Sequence, residues 1–189
     1  PYIYQVNPPQ SYLYSEVYEH FIRQFVNANV IFMDMGANEN KSKAEFIEGF
    51  KQELFKAKIS AKTINGDADL STLKATLVSG KQNIFVPTSD SNLTLIKILP
   101  QLKMLVKEES DFKINLFGYP EWQTYTKDHL NSFFELATYF YSLFYTNNLL
   151  PAAKEFINSY YNRYSKEMAN TFPRYGMWGY DTAFFFLND

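Results

Sequence analysis

The feature of this sequence that most constrains its fold is a regular alternation of short apolar runs with longer segments of helical period. Val30-Ile-Phe-Met-Asp34 is apolar without alternation and stops at Met35-Gly36, the pattern of a strand covered on both faces. In the segment that follows, Ala44, Ile47, Phe50, Leu54 and Phe55 recur at helical spacing with Lys and Glu between them. One face of that helix is therefore expected to pack on a sheet. Ile59–Ile64 reads as the next strand, Asp69–Leu77 as a short helix, and Asn83-Ile-Phe-Val-Pro87 as another buried strand.

The same alternation extends in both directions. Pro1–Val6 alternates like a short strand, Asn7-Pro8-Pro9 stops it, and Ser11 is placed to cap a helix running to about Val26. Asn40 or Ser42 is placed to open the helix of Ala44. Ser91 is placed to cap a helix through Val106, which Pro100 is expected to kink or divide after Leu99. Ile114–Phe117 is a strand, Gly118-Tyr-Pro120 a sharp turn, Lys127–Glu135 a helix, and Thr138–Tyr145 has the aromatic content of a fifth strand. Beyond Asn147-Asn148 the pattern is helical only, with one helix from Pro151 to Lys166 and another from Gly176 to Leu187.

Alternation of this kind implies parallel strands joined by right-handed helical crossovers. The expectation is a three-layer α/β/α flavodoxin-like lobe with a mainly parallel five-stranded sheet and a helical C-terminal extension. In a strand order of 2-1-3-4-5, a crevice opens at the carboxyl ends of the first and third strands, where successive crossovers leave for opposite faces. That rule selects Gly36–Lys41, Thr88–Asn92 and Gly118–Trp122. By position and hydrogen-bonding capacity, Asn38, Thr88, Ser89, Tyr119 and Glu121 are the candidate ligand-binding residues. Tyr119 and Trp122 offer stacking surfaces.

Composition excludes several function classes. Lys and Arg number 18 against 20 Asp and Glu, which leaves no broad electrostatic footprint for a nucleic-acid backbone or an anionic membrane. The stripes Tyr12-Tyr14-Tyr18 and Tyr160-Tyr161-Tyr164 do not interleave basic residues densely enough for a base-stacking platform and read as helix packing. No apolar run approaches the ~20 residues that span a bilayer. The absence of cysteine removes disulfides and thiolate metal sites but sets no compartment.

Catalytic patterns are also missing. There is no Gly-x-Ser-x-Gly elbow and no Gly-x-Gly-x-x-Gly fingerprint. His20 and His129 lie far apart without spaced metal partners. Asp34 and Asp90 resemble the acidic residues of a phosphoacceptor receiver domain, but the expected fifth strand ends in Phe144-Tyr-Thr-Asn147, not in that mechanism's lysine. Asn38-Glu-Asn-Lys-Ser42 places a carboxylate where a flavin phosphate would sit. No enzyme, cofactor or metal is expected.

The order of elements resembles the second half of the leucine/isoleucine/valine-binding-protein family of type 1 periplasmic binding proteins, over nearly the whole chain. Pro1–Val6 is similar to the segment that crosses into lobe 2, Ser11–Phe25 to the first helix of that lobe, and Val30–Asp34 with Ala44–Phe50 to a family strand and helix. Asn83–Ser89 resembles the strand that meets the ligand, and Tyr139–Tyr145 the strand returning toward lobe 1. Ala153–Tyr164 and Gly179-Tyr-Asp-Thr-Ala183 resemble the closing helices. Amino-acid binders of the family carry an aromatic residue and a glycine after the first lobe-2 strand, where this chain reads Gly36-Ala-Asn-Glu-Asn-Lys41.

The resemblance implies that residues 1–146 form lobe 2, that 147–189 are helices packing on lobe 1, and that the first part of lobe 1 lies outside this piece of a longer polypeptide. It implies a periplasmic or cell-envelope solute-binding module that takes a small polar, amino-acid-like ligand between two lobes, as in amino acid transport. The alternative is an envelope module that docks a protein or cell-wall partner. Exposed C-terminal helices would then offer a route to self-association.

Overall fold

The computed structural model describes residues 9–142, 144 and 150–188, which fall into two compact units. The first, Pro9–Tyr141, is an α/β unit. After a 3-10 turn at Gln10–Leu13 come helix α1 (Tyr14–Gln24), strand β1 (Ala28–Asp34), helix α2 (Ala44–Lys56), strand β2 (Ser60–Asn65) and helix α3 (Leu70–Ala75). Strand β3 (Gln82–Pro87), helix α4 (Asn92–Glu108), strand β4 (Lys113–Gly118), helix α5 (Thr126–Glu135) and strand β5 (Tyr139–Phe140) complete it. All five strands are parallel, in the order β2-β1-β3-β4-β5. This is the flavodoxin-like three-layer arrangement expected from the alternation.

The crossover rule accounts for the layers. From β1 the chain moves outward to β2, then returns past β1 to β3, so α2 lies on one face and α3, α4 and α5 on the other. Helix α1 packs beside α2, and α3 and α5 pack against α4. On the α1/α2 face the core is aromatic: Phe50 meets Phe21 edge-on at 4.7 Å and Tyr18 in a stack at 5.5 Å, and Phe21 meets Phe117 of β4 at 5.1 Å. Burying a Phe of this kind contributes about 1.5–3 kcal/mol. On the opposite face α4 buries Leu95, Ile98, Leu99, Leu102 and Leu105. At the amino ends of the strands, Asn29 and Asn83 are fully buried in register and joined by an Nδ2–H···Oδ1 bond of 2.8 Å. Asn83 Oδ1 also accepts from the Val78 N–H at 2.8 Å, which ties the α3–β3 connection to the sheet.

Several local expectations are corrected. The first helix begins at Tyr14, because the residues after Pro9 wind first as a 3-10 turn closed by Tyr12 N–H to the Pro9 carbonyl at 3.1 Å; Ser11 caps nothing. Asn40 and Ser42 lie in a short 3-10 turn before α2, and neither caps the helix because their side chains reach across to other strand ends. Helix α4 runs undivided through Pro100. Both Pro100 and Ile96, whose carbonyl loses its donor, are on the exposed side, while the buried leucine face continues unbroken. Strand β5 has two residues, because its partner β4 ends at Gly118, opposite Phe140; Leu143 and Tyr145 lie outside the described residues, as does the expected strand at 1–6.

The second unit takes up the chain from Ser142 and contains helices α6 (Pro151–Tyr164) and α7 (Tyr175–Asn188). Helix α6 stops at Tyr164, short of Lys166, because Ser165 adopts the left-handed conformation at φ 50°. Phe156 of α6 packs on Tyr180 of α7 with ring centroids 5.0 Å apart, and Met177 is buried. No helix among the described residues is long and apolar enough to cross a membrane.

Candidate functional site

The carboxyl ends of β1, β3 and β4 present the loops selected by the switch-point rule. Gly36 has φ 94°, a conformation open to glycine, and this turn lets Asp34 Oδ1 accept from the Gly36 N–H at 2.9 Å and from Asn40 Nδ2 at 2.7 Å. These bonds, first the Asn40 amide and then the Gly36 N–H, hold the Asp34 carboxyl below its ordinary value. Asn40 continues across the switch point as acceptor of a bond from the Thr88 hydroxyl. Thr88 Oγ1 in turn accepts from the Met35 N–H at 2.9 Å.

Two further contacts stitch the same gap. Glu39 Oε2 accepts from Ser91 Oγ at 3.0 Å and from Ser89 Oγ at 3.3 Å, and Ser42 Oγ donates to Asp90 Oδ1 at 2.8 Å. The crevice between β1 and β3 is thus bridged by the chain's own polar side chains.

At its β4 side the crevice holds Lys43, the residue before α2, whose side chain is only 4% exposed. Its Nζ lies 2.8 Å from Glu121 Oε1, 3.3 Å from Asp90 Oδ2 and 3.5 Å from Gln10 Oε1, and 5.1 Å from the centroid of the Tyr119 ring. Gln10 Nε2 also donates to Glu121 Oε1 at 3.0 Å. Tyr119 is fully buried and donates its hydroxyl to the Pro87 carbonyl at 2.5 Å; burial, reinforced by the nearby Asp90 and Glu121 charges, drives its phenol well above the ordinary value. Trp122 donates Nε1–H to the Asp90 carbonyl at 3.1 Å, stacks on Phe133 and lies directly over Gly118.

Two polar atoms in this region have no hydrogen-bond partner among the described residues: Glu121 Oε2 and the Tyr141 hydroxyl. Tyr141 stacks on Phe46 at 5.1 Å, and burial raises its phenol far above the ordinary value, with the Tyr14, Tyr119 and Glu121 fields adding to the shift.

Of the five residues expected from sequence, Thr88, Ser89, Tyr119 and Glu121 lie at these strand ends, and Asn38 is exposed in the loop after β1. The hydroxyls of Thr88, Ser89 and Tyr119 are all engaged within the protein. Sequence reasoning missed Lys43 and Gln10 as members of the cluster. The one available signal is that a cation at the start of a helix runs against the helix dipole, so Lys43 needs carboxylates from elsewhere. His129 pairs with Asn92 Oδ1 at 2.7 Å, joining the starts of α4 and α5. Among the described residues no three His, Asp or Glu side chains cluster as metal ligands. Comparison with protein-family models, with curated proteins and with solved structures finds no match to this chain.

Proposed function

We propose that this chain forms one lobe of a non-catalytic, extracytoplasmic recognition module that takes a small polar ligand at the carboxyl ends of β1, β3 and β4. The observation that carries this reading is Glu121 Oε2: an enclosed carboxylate oxygen at the strand-end crevice with no donor among the described residues. Burying such an acceptor unpaired costs about 1–3 kcal/mol, and a ligand N–H or O–H would offset that cost on binding. The Tyr141 hydroxyl supplies a second unmatched group whose ionisation feels the Glu121 charge. Switch-point placement and the resemblance to solute receptors support the same reading. In an intact two-lobed receptor, a ligand gaining contacts from both walls would stabilise the closed form.

A specific observation favours a second reading, in which the module docks an envelope protein or cell-wall partner. Thr88, Ser89 and Tyr119 spend their hydroxyls internally, so the crevice is largely filled by the chain itself. A thermal-shift screen of the protein against amino acids, short peptides, sugars and cell-wall fragments separates the two, since selective native-state binding raises the melting temperature. Solute recognition requires a saturable shift that Glu121→Gln abolishes. A flat screen on folded protein moves the assignment to partner docking.

A further inference from the structure

The environment of Lys43 contains more than one ion pair requires. An ammonium has three N–H donors and no acceptor. Here Glu121 Oε1 and Asp90 Oδ2 face it within salt-bridge distance, and Gln10 Oε1 stands at the outer edge of hydrogen-bond distance. The Tyr119 ring lies 5.1 Å away, offering its negative face to the cation. These groups come from the 3-10 turn before α1, the loop after β3 and the turn after β4, and they converge on an ammonium attached just before α2. The lysine side chain is 4% exposed although Asp90 and Glu121 keep 21% and 27% exposure. The acceptors thus line a recess, and the cation lies at its enclosed end.

We propose that this recess is a receptor for a primary ammonium group and that Lys43 occupies it as a tethered pseudo-ligand. Tethering makes the lysine's occupation of the recess intramolecular, so the chain's own side chain outcompetes free cations there. A solute that engages this wall through an ammonium must displace Lys43; one that leaves the lysine in place is left with Glu121 Oε2 and the Tyr141 hydroxyl. The proposal rests on the acceptor geometry and stands whether or not a natural solute is found for the crevice, because its test uses only two simple ammonium salts as probes.

Beyond Cβ, the lysine side chain is equivalent to n-propylammonium. Lys43→Ala is expected to lower the melting temperature, and n-propylammonium chloride is expected to raise it again saturably, by about 3–6 °C at ten times its Kd. Tetramethylammonium chloride at equal ionic strength, which has no N–H, should give no such rise. Lys43→Met, whose thioether fills the recess, and the unaltered protein should respond alike to both salts. If Lys43→Ala does not fold alone, refolding in n-propylammonium should recover it and refolding in tetramethylammonium should not. The proposal is overturned by equal responses to the two salts in Lys43→Ala, by a selective response of Lys43→Met or of the unaltered protein, or by failure to refold in either salt.

Discussion

Gly118→Ala separates local propensity from tertiary packing at the edge of the candidate site. Gly118 is the last residue of β4, and on propensity alone replacing a strand glycine with alanine should gain about 0.5–1 kcal/mol. The structure reverses the sign. A Cβ built on Gly118 would run into the six-membered ring of Trp122, which has no open side to retreat into: the indole stacks on Phe133 at 5.8 Å and is held by its Nε1–H bond to the Asp90 carbonyl at 3.1 Å. Overpacking of this kind costs about 1–3 kcal/mol, and losing the indole bond adds about 1 kcal/mol. Net of the propensity gain, the expected loss is about 1–3.5 kcal/mol, which lowers the melting temperature by roughly 2–14 °C for a chain of this size. Thermal unfolding followed by circular dichroism measures it, and the near-ultraviolet tryptophan band should weaken because the ring is displaced. The decisive comparison is made in a Trp122→Leu background, where the clash is gone and Gly118→Ala should cost under about 0.5 kcal/mol. A change within about 0.5 kcal/mol in the unaltered protein, or an equal penalty in both backgrounds, would refute the reasoning.

Three further outcomes are expected. The Asp34 carboxyl titrates below its ordinary value when folded, so its contribution to stability is present above the unfolded-state value and disappears as pH falls through the folded one. Urea unfolding should therefore show Asp34→Asn less stable than the unaltered protein at pH 7, with the gap narrowing as the pH falls below the ordinary carboxylate range; a gap that widens on acidification contradicts the assignment. Ser91 Oγ accepts from the Thr94 N–H at 3.1 Å as the N-cap of α4, and Ser91→Ala should cost about 1 kcal/mol in the same assay, whereas no loss would mean that the cap is dispensable. Gly179 lies inside α7, and a Cβ added there would meet nothing within 4 Å, so Gly179→Ala should raise helix stability by up to about 1 kcal/mol, read as slower amide exchange in α7; faster exchange would point to an unseen close approach there.

What the sequence determined by itself was the architecture. Val30–Asp34 and Asn83–Pro87 are apolar runs too short for helices and set between helical segments, a pattern of strands covered on both faces, and their alternation with helices implies parallel pairing and crossovers of one hand. The start of α4 after Ser91 was legible because a cap is a matter of residues three apart, and the Ser91 side chain accepts the Thr94 N–H; the short helix expected over Asp69–Leu77 forms as Leu70–Ala75, with Asp69 as a cap that was not foreseen. Strand-end position also brought Thr88, Ser89, Tyr119 and Glu121 to the candidate site. Tertiary structure decided what those residues do there. The Tyr119 hydroxyl is committed to a carbonyl 32 positions away in the sequence, and Lys43 finds Glu121 across 78 positions. It also decided that Pro100 does not divide α4, whose leucine face stays buried, and that β5 stops where β4 ends. Periodicity and capping are properties of neighbours along the chain, whereas the partner of a buried charge depends on which loops the folded sheet brings together.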